Sequence, residues 1–148
     1  MTLYPDASAI VAVIVNEATG RRVDGALQPG RNRLLVSDFA VAETSSAVAR
    51  LERTGFRSRS AADSILRDLD HWVVEFTESV SITSSDISTA TTLIRCYDLK
   101  LRAPDAIHIA AAARLEATLV TLDRGMARAA TALGLPCINP ADTSALKD

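Results

Sequence analysis

Short aliphatic runs separated by longer stretches of helical composition constrain this chain most. Residues 2–5, 34–36 and 118–122 are apolar and suited to a sheet, 136–138 offers a short edge strand, and 80–83 is a strand or an extended link. Helical composition fills the intervals, over 8–15, 19–27, 39–52, 59–72, 86–97, 106–115 and 124–133. Parallel strands need crossover connections, which helices supply. The pattern predicts an α/β fold: a central parallel sheet of four to five short strands, flanked by helices on both faces.

Local signals place the boundaries. Asp6 or Ser8 is a helix N-cap that favours helix over 8–15, although the β-branched residues there keep strand as an alternative. Gln28-Pro29-Gly30 marks a loop, Ser37 or Asp38 caps the following helix, and Gly55 suits its left-handed end. Ile65, Leu66, Leu69 and Trp72 share one face of the next helix, and Ile87, Ala90, Leu93 and Ile94 point inward from the one after it. Pro104 fits a first helical turn, where its missing N–H does no harm.

At 148 residues, the chain suits a single domain spanning 1–148. Hydrophobic residues make up 48% and charged residues 23%, a profile of a packed protein rather than a disordered one. A net charge of −2 argues against binding nucleic acid through bulk charge, leaving only a local basic patch for that purpose. Arginine supplies almost all the positive charge, and coding bias is the plainer explanation of that preference. Cys96 and Cys137 lack zinc-ligand spacing and are expected to be buried free thiols. No secretory signal or membrane span is evident, so a soluble, cytoplasmic protein without membrane partners is expected.

Four carboxylates stand out. Asp6 and Asp123 follow strands, Asp105 lies in a first helical turn, and Glu43 sits inside a largely apolar helix. Capping explains Asp6 and Asp123 about as well as function does, and the helix dipole accounts for Asp105. A buried Glu43 would need a partner. In an open parallel sheet the carboxyl ends of the strands share one rim, where acids distant in sequence can meet. Clustered anions repel unless a cation neutralises them, and an oxygen-only set suits Mg2+ or Mn2+. A divalent ion so held activates water for attack on phosphorus, which points to phosphodiester hydrolysis.

The motifs carrying these acids resemble those of PIN-domain ribonucleases, most closely the VapC-type toxins of bacterial toxin-antitoxin pairs. Tyr4-Pro5-Asp6-Ala7-Ser8-Ala9 is similar to the opening motif, Ala42-Glu43 with residues 47–50 to the second, residues 101–108 to the third and most specific, and residues 119–124 with the later 130–135 to the fourth. The resemblance covers nearly the whole chain. It implies a PIN-like fold and Mg2+- or Mn2+-dependent endoribonuclease activity. It makes Asp6, Glu43, Asp105 and Asp123 the catalytic quartet, Asp6 and Asp105 direct metal ligands, and Ser8 and Thr121 supporting hydroxyls. It further implies an RNA substrate, a cognate VapB-like antitoxin and a homodimer. Pro5 departs from the pattern, which more often has an aliphatic residue before the first acid.

Other residues have plainer readings. His108, three positions after Asp105, can reach a site acid or substrate, but a structural histidine is the commoner role. His71 is expected to be a surface or helix-capping residue. Arg102 and Arg124 can grip a phosphate or form ordinary ion pairs. The five arginines between Arg50 and Arg67 can make a basic ridge or a solvated helix face. A non-catalytic PIN-like interaction module is the alternative function, and a phosphatase of another acidic α/β family is weaker, since Ser8 rather than a second close carboxylate follows Asp6 and Lys100 and Lys147 are the only lysines.

Overall fold

A computed structural model describes residues 1–142; the end of the expected domain, residues 143–148, lies outside the described residues. Among the described residues, five parallel strands form one sheet: β1 (Thr2–Pro5), β2 (Arg33–Ser37), β3 (Glu78–Val80), β4 (Thr118–Val120) and β5 (Cys137–Ile138). Helices α1 (Ala7–Ile14), α2 (Gly20–Leu27), α3 (Asp38–Arg53), α4 (Arg59–Phe76), α5 (Ser84–Ile94), α6 (Ala103–Arg114) and α7 (Arg124–Ala132) supply the crossovers. The expected α/β architecture is present.

Strand alternation sorts the core into two layers. Leu3, Leu34, Val36 and Val120 pack with α1 to α4, through Ala9, Ile10, Val23, Ala40, Leu69 and Trp72. Tyr4, Leu35 and Leu119 face the opposite way, toward Ala90, Ile109, Ala112, Met126 and Ala130 of α5 to α7. The period of two along each strand therefore decides which helix layer each aliphatic side chain meets. Gly20 is required where α2 begins, because a Cβ there would collide with the Ala12 carbonyl oxygen.

The strand order β3-β2-β1-β4-β5 places β1 at the centre. The chain builds outward from β1 through β2 to β3, then returns to add β4 on the other side. The carboxyl ends of β1 and β4 thus flank the point where the winding reverses, the usual location of a crevice in such sheets. Pro5 is tolerated here because pairing with β2 covers only Thr2 and Leu3, whereas residues 3–5 pair with β4. The Asp6 amide extends that second ladder by donating to the Val120 carbonyl at 3.0 Å.

Several boundaries differ from expectation. α4 continues to Phe76, four residues beyond the predicted end at Trp72. β3 ends at Val80 instead of beginning there, because residues 78–80 align with 35–37 of β2 and Thr83 is needed as the cap of α5. Ile87 points outward at 46% exposure, because Asp86 takes the inward position of that turn. Cys96 is exposed and Cys137 half-buried, not fully buried: one follows the end of α5 and the other lies on the edge strand β5. Burial still pushes the Cys137 thiol up to about 11. Gly55 takes φ +76° at the end of α3, as its position suggests.

Asp86 is 2% exposed and receives both Arg114 Nε, at 2.8 Å, and Nη2, at 2.9 Å. Burial disfavours its charge, but the Arg114 fork and donors from Thr83 outweigh burial and hold its pKa below the ordinary carboxylate range. That contribution is present above the unfolded-state value of about 3.9 and is lost as pH falls through the lower folded-state value. Arg114→Met should cost about 2–3 kcal/mol at neutral pH, the partial exposure of Arg114 moderating the penalty for an unpaired buried charge. Urea unfolding should show this penalty shrinking below about pH 4, where Asp86 of the unfolded chain protonates; an equal penalty at both pH values would refute the account. Thr44 has a buried hydroxyl without a hydrogen-bond partner among the described residues. Thr44→Val should raise stability by about 1 kcal/mol in the same measurement.

Candidate active site at the carboxyl edge of the sheet

Asp6 emerges directly from β1 and caps α1. Its Oδ1 accepts the Ala9 amide at 3.0 Å and the Ser8 hydroxyl at 2.6 Å, while Oδ2 accepts the Thr121 hydroxyl at 2.6 Å. It is only 2% exposed. Burial raises its pKa, with the Ser8, Thr121 and Ala9 donors and, to a smaller extent, the charge of His108 acting in the opposite direction. A carboxylate in this position gains from a nearby cation.

Thr121 and Ser8 extend the network to the end of β4. The Thr121 oxygen accepts the Asp123 amide at 3.0 Å, and the Ser8 oxygen accepts the Leu122 amide at 2.9 Å. Asp123 then caps α7 through Oδ1, which accepts the Met126 amide at 2.8 Å. Its Oδ2 faces Arg102 Nη2 at 3.9 Å. Arg102 also contacts Asp105, whose Oδ2 accepts from both the Arg102 backbone amide and Nε at 3.3 Å. One exposed guanidinium therefore bridges two of the acids.

Glu43 reaches the same region from the opposite helix layer. Its Oε2 lies 2.5 Å from His108 Nε2, which answers the need of a half-buried acid for a partner. His108 Nδ1 lies 3.0 Å from the Tyr4 hydroxyl, and that hydroxyl donates to Ser37 Oγ at 2.8 Å. Ser37 in turn accepts the Ala40 amide and so caps α3. Burial pushes the Tyr4 phenol well above its usual range and keeps it a neutral hydroxyl. The imidazole lies between the rings of Phe39 and Tyr4, with centroids 5.2 Å and 5.8 Å away.

The capping and rim readings thus coincide at Asp6 and Asp123, since a residue that follows a parallel strand and starts a helix is at once a cap and part of the rim. His108 pairs with a site acid and Arg102 forms an ion pair with two of them. His71 is exposed, as expected, and Arg59 of the basic segment pairs with Glu52. The Tyr4–Ser37 link escaped sequence reasoning. Its available signal was a tyrosine in a buried strand, whose hydroxyl must find a partner.

The donor chemistry suits a hard divalent ion, since the acids offer only oxygen. Among the described residues, Asp105 Oδ1 and Glu43 Oε1 receive no hydrogen bond. No three His, Cys, Asp or Glu side chains are gathered closely enough there to hold a metal as they stand. Arginine and hydroxyl donors, rather than direct contact between acids, organise the rim.

Thr121→Val should expose the importance of this network, because it leaves Asp6 Oδ2 without its hydroxyl donor and the Asp123 amide without its acceptor. Loss of those partners should cost about 1–3 kcal/mol in urea unfolding, with Thr121→Ser restoring most of it. Equal stability of the valine and serine variants would remove the hydroxyl from the account.

A PIN domain family model matches residues 3–132. A comparison of the sequence with curated proteins gives no match. Among solved structures, the fold is similar to VapBC2 from Rickettsia felis bound to a promoter DNA fragment, with TM-score 0.71, 17% identity and coverage of 94% of this chain and 98% of that one. It is also similar to Mycobacterium tuberculosis VapC20, described as a Sarcin-Ricin loop cleaving toxin, with TM-score 0.67, 15% identity and coverage of 90% and 95%. A third similar structure is FitAcB from Neisseria gonorrhoeae, with TM-score 0.68, 17% identity and coverage of 95% and 98%. With the family model spanning most of its length and an acidic rim at the carboxyl edge of its parallel sheet, the chain belongs to the PIN domain family.

Proposed function

We propose that this protein is a metal-dependent endoribonuclease and the toxin component of a toxin-antitoxin pair that inhibits growth or translation. The observation that carries the reading is the convergence of Asp6, Asp123, Asp105 and Glu43 on one sheet edge, linked through Thr121, Arg102 and His108. The acidic quartet is assigned to catalysis, with Asp6 and Asp105 as direct ligands of Mg2+ or Mn2+. The whole chain is assigned to one PIN-like domain.

A bound divalent ion would supply Lewis-acid activation of water and neutralise charge on the phosphodiester. Ser8 and Thr121 orient both oxygens of Asp6. Glu43, with Oε2 on His108, keeps Oε1 available to orient water or receive its proton. Arg102 is largely exposed and can turn its fork from the acids to a substrate phosphate. Attack by water oxygen on phosphorus breaks the bond to the ribose 3'-oxygen, which takes up a proton. The products carry 5'-phosphate and 3'-hydroxyl ends.

The toxin assignment draws on structural similarity to VapBC2, VapC20 and FitAcB. It brings an RNA substrate, a cognate VapB-like antitoxin and a homodimer as proposed partners, with the cytoplasm as the site of action. Among the described residues, no helix is long and apolar enough to cross a membrane. The competing reading, a non-catalytic PIN-like interaction module, draws on the caps and ion pairs that occupy the acids and on the absence of a ready-made metal cluster among the described residues.

Asp105→Asn should reduce RNA cleavage by more than the roughly 10–100-fold that follows loss of a residue merely supporting a metal ligand, with a stability change of about 0.5 kcal/mol from the helix-terminal charge. End mapping should give 5'-phosphate and 3'-hydroxyl ends with the parent protein; 2',3'-cyclic phosphate ends would exclude direct hydrolysis. Mn2+ should raise the parent protein's melting temperature, since selective binding stabilises the folded state, and should do so less for Asp6→Asn and Asp105→Asn. Unchanged melting in every form, with no cleavage of RNA, would favour the interaction module.

A further inference from the structure

Glu43 enters from α3 and His108 from α6, helices of the two opposite layers, and their contact closes over the carboxyl edge of the sheet. His108 is 1% exposed, and both its ring nitrogens are engaged. Since the Tyr4 hydroxyl donates to Ser37, the proton between Tyr4 and His108 comes from Nδ1. A further proton then lies between Nε2 and Glu43 Oε2, carried either by an imidazolium or by the carboxyl group. A long glutamate side chain, partly open to solvent, would otherwise sample several rotamers.

From this geometry we infer that His108 is a positioning residue for Glu43: it holds Oε2, is itself braced by Tyr4 and Ser37, and leaves Oε1 directed to the reaction. The inference rests on the catalytic reading of Glu43. The same chain of contacts joins three acid-bearing elements. Tyr4 lies on the strand that delivers Asp6, His108 follows Asp105 on α6, and Ser37 caps the helix that carries Glu43. Phe39 and Tyr4 confine the ring, so its hydrogen-bonding direction is set by packing. A histidine serving only to fill the core would need no carboxylate partner at the rim.

The test is a kinetic cycle on a labelled RNA oligonucleotide with Mn2+, using His108→Ala, Glu43→Gln and the double variant, with folding followed by circular dichroism. His108→Ala should lower kcat about 10–100-fold, as loss of an outer partner does, while KM stays within about two-fold because substrate contacts are unchanged. In the Glu43→Gln background the same substitution should cost less than about three-fold, since coupled residues are non-additive. His108→Gln should recover part of the loss, because its amide can still donate to Oε2, and Tyr4→Phe should give a smaller loss through the freed imidazole. These two variants carry the test if His108→Ala does not fold: full activity in both overturns the inference. In metal-free protein, the His108 Nε2 proton resonance should move upfield in Glu43→Gln.

A large loss in Glu43→Gln alongside full activity in His108→Ala would overturn the inference alone. So would an equal loss from His108→Ala in both backgrounds. Full activity in Glu43→Gln would overturn the catalytic reading of Glu43 and the positioning role with it.

Discussion

Asp6 joins the central strand β1 to its neighbour β4 through hydrogen bonds that engage both carboxylate oxygens. The Thr121 hydroxyl is the turning point: it donates to Asp6 and accepts from Asp123, so the carboxyl ends of β1 and β4 are fixed relative to each other by a side-chain network as well as by the ladder. Such a network is strong because it is buried and its groups are paired; the same low polarity makes it costly to leave incomplete. The starts of α1 and α7 follow from it, since Asp6 and Asp123 cap them.

A second constraint acts across the layers. The core splits into two aliphatic compartments on either side of the sheet, and hydrophobic packing alone does not select how the polar groups on their helices meet above its edge. The Ser37–Tyr4–His108–Glu43 chain and the Arg102 bridge provide that selection through directional contacts. Both bring positive or proton-sharing groups to acids that would otherwise repel. Those contacts reduce repulsion at the rim, whose acids make no compact cluster among the described residues.

Much of this was legible from local chemistry. Alternating apolar runs and helical composition indicated the layering, a cap rather than periodicity favoured helix over 8–15, Pro104 and Gly55 marked helix ends, and Asp6 and Asp123 stood next to strand ends where a parallel sheet exposes its rim. The errors fall where distant contacts override local pattern. Ile87 reads as core until Arg114 draws Asp86 into the inward position, and β3 reads as starting at Val80 until its register with β2 shifts it toward Glu78. Cap and rim were weighed as competing explanations for Asp6 and Asp123, whereas the parallel-strand geometry makes each residue both.

The sequence by itself determined most element types and the α/β layering, and it set Asp6 and Asp123 where a strand gives way to a helix, because composition, caps and turn residues act over a few neighbouring positions. Only the tertiary structure decided that His108 partners Glu43 across 65 residues, that Thr121 links Asp6 to Asp123, and that Arg102 stands between two acids. Those choices depend on directional hydrogen bonds between side chains brought together by the strand order β3-β2-β1-β4-β5, and no local pattern encodes that proximity.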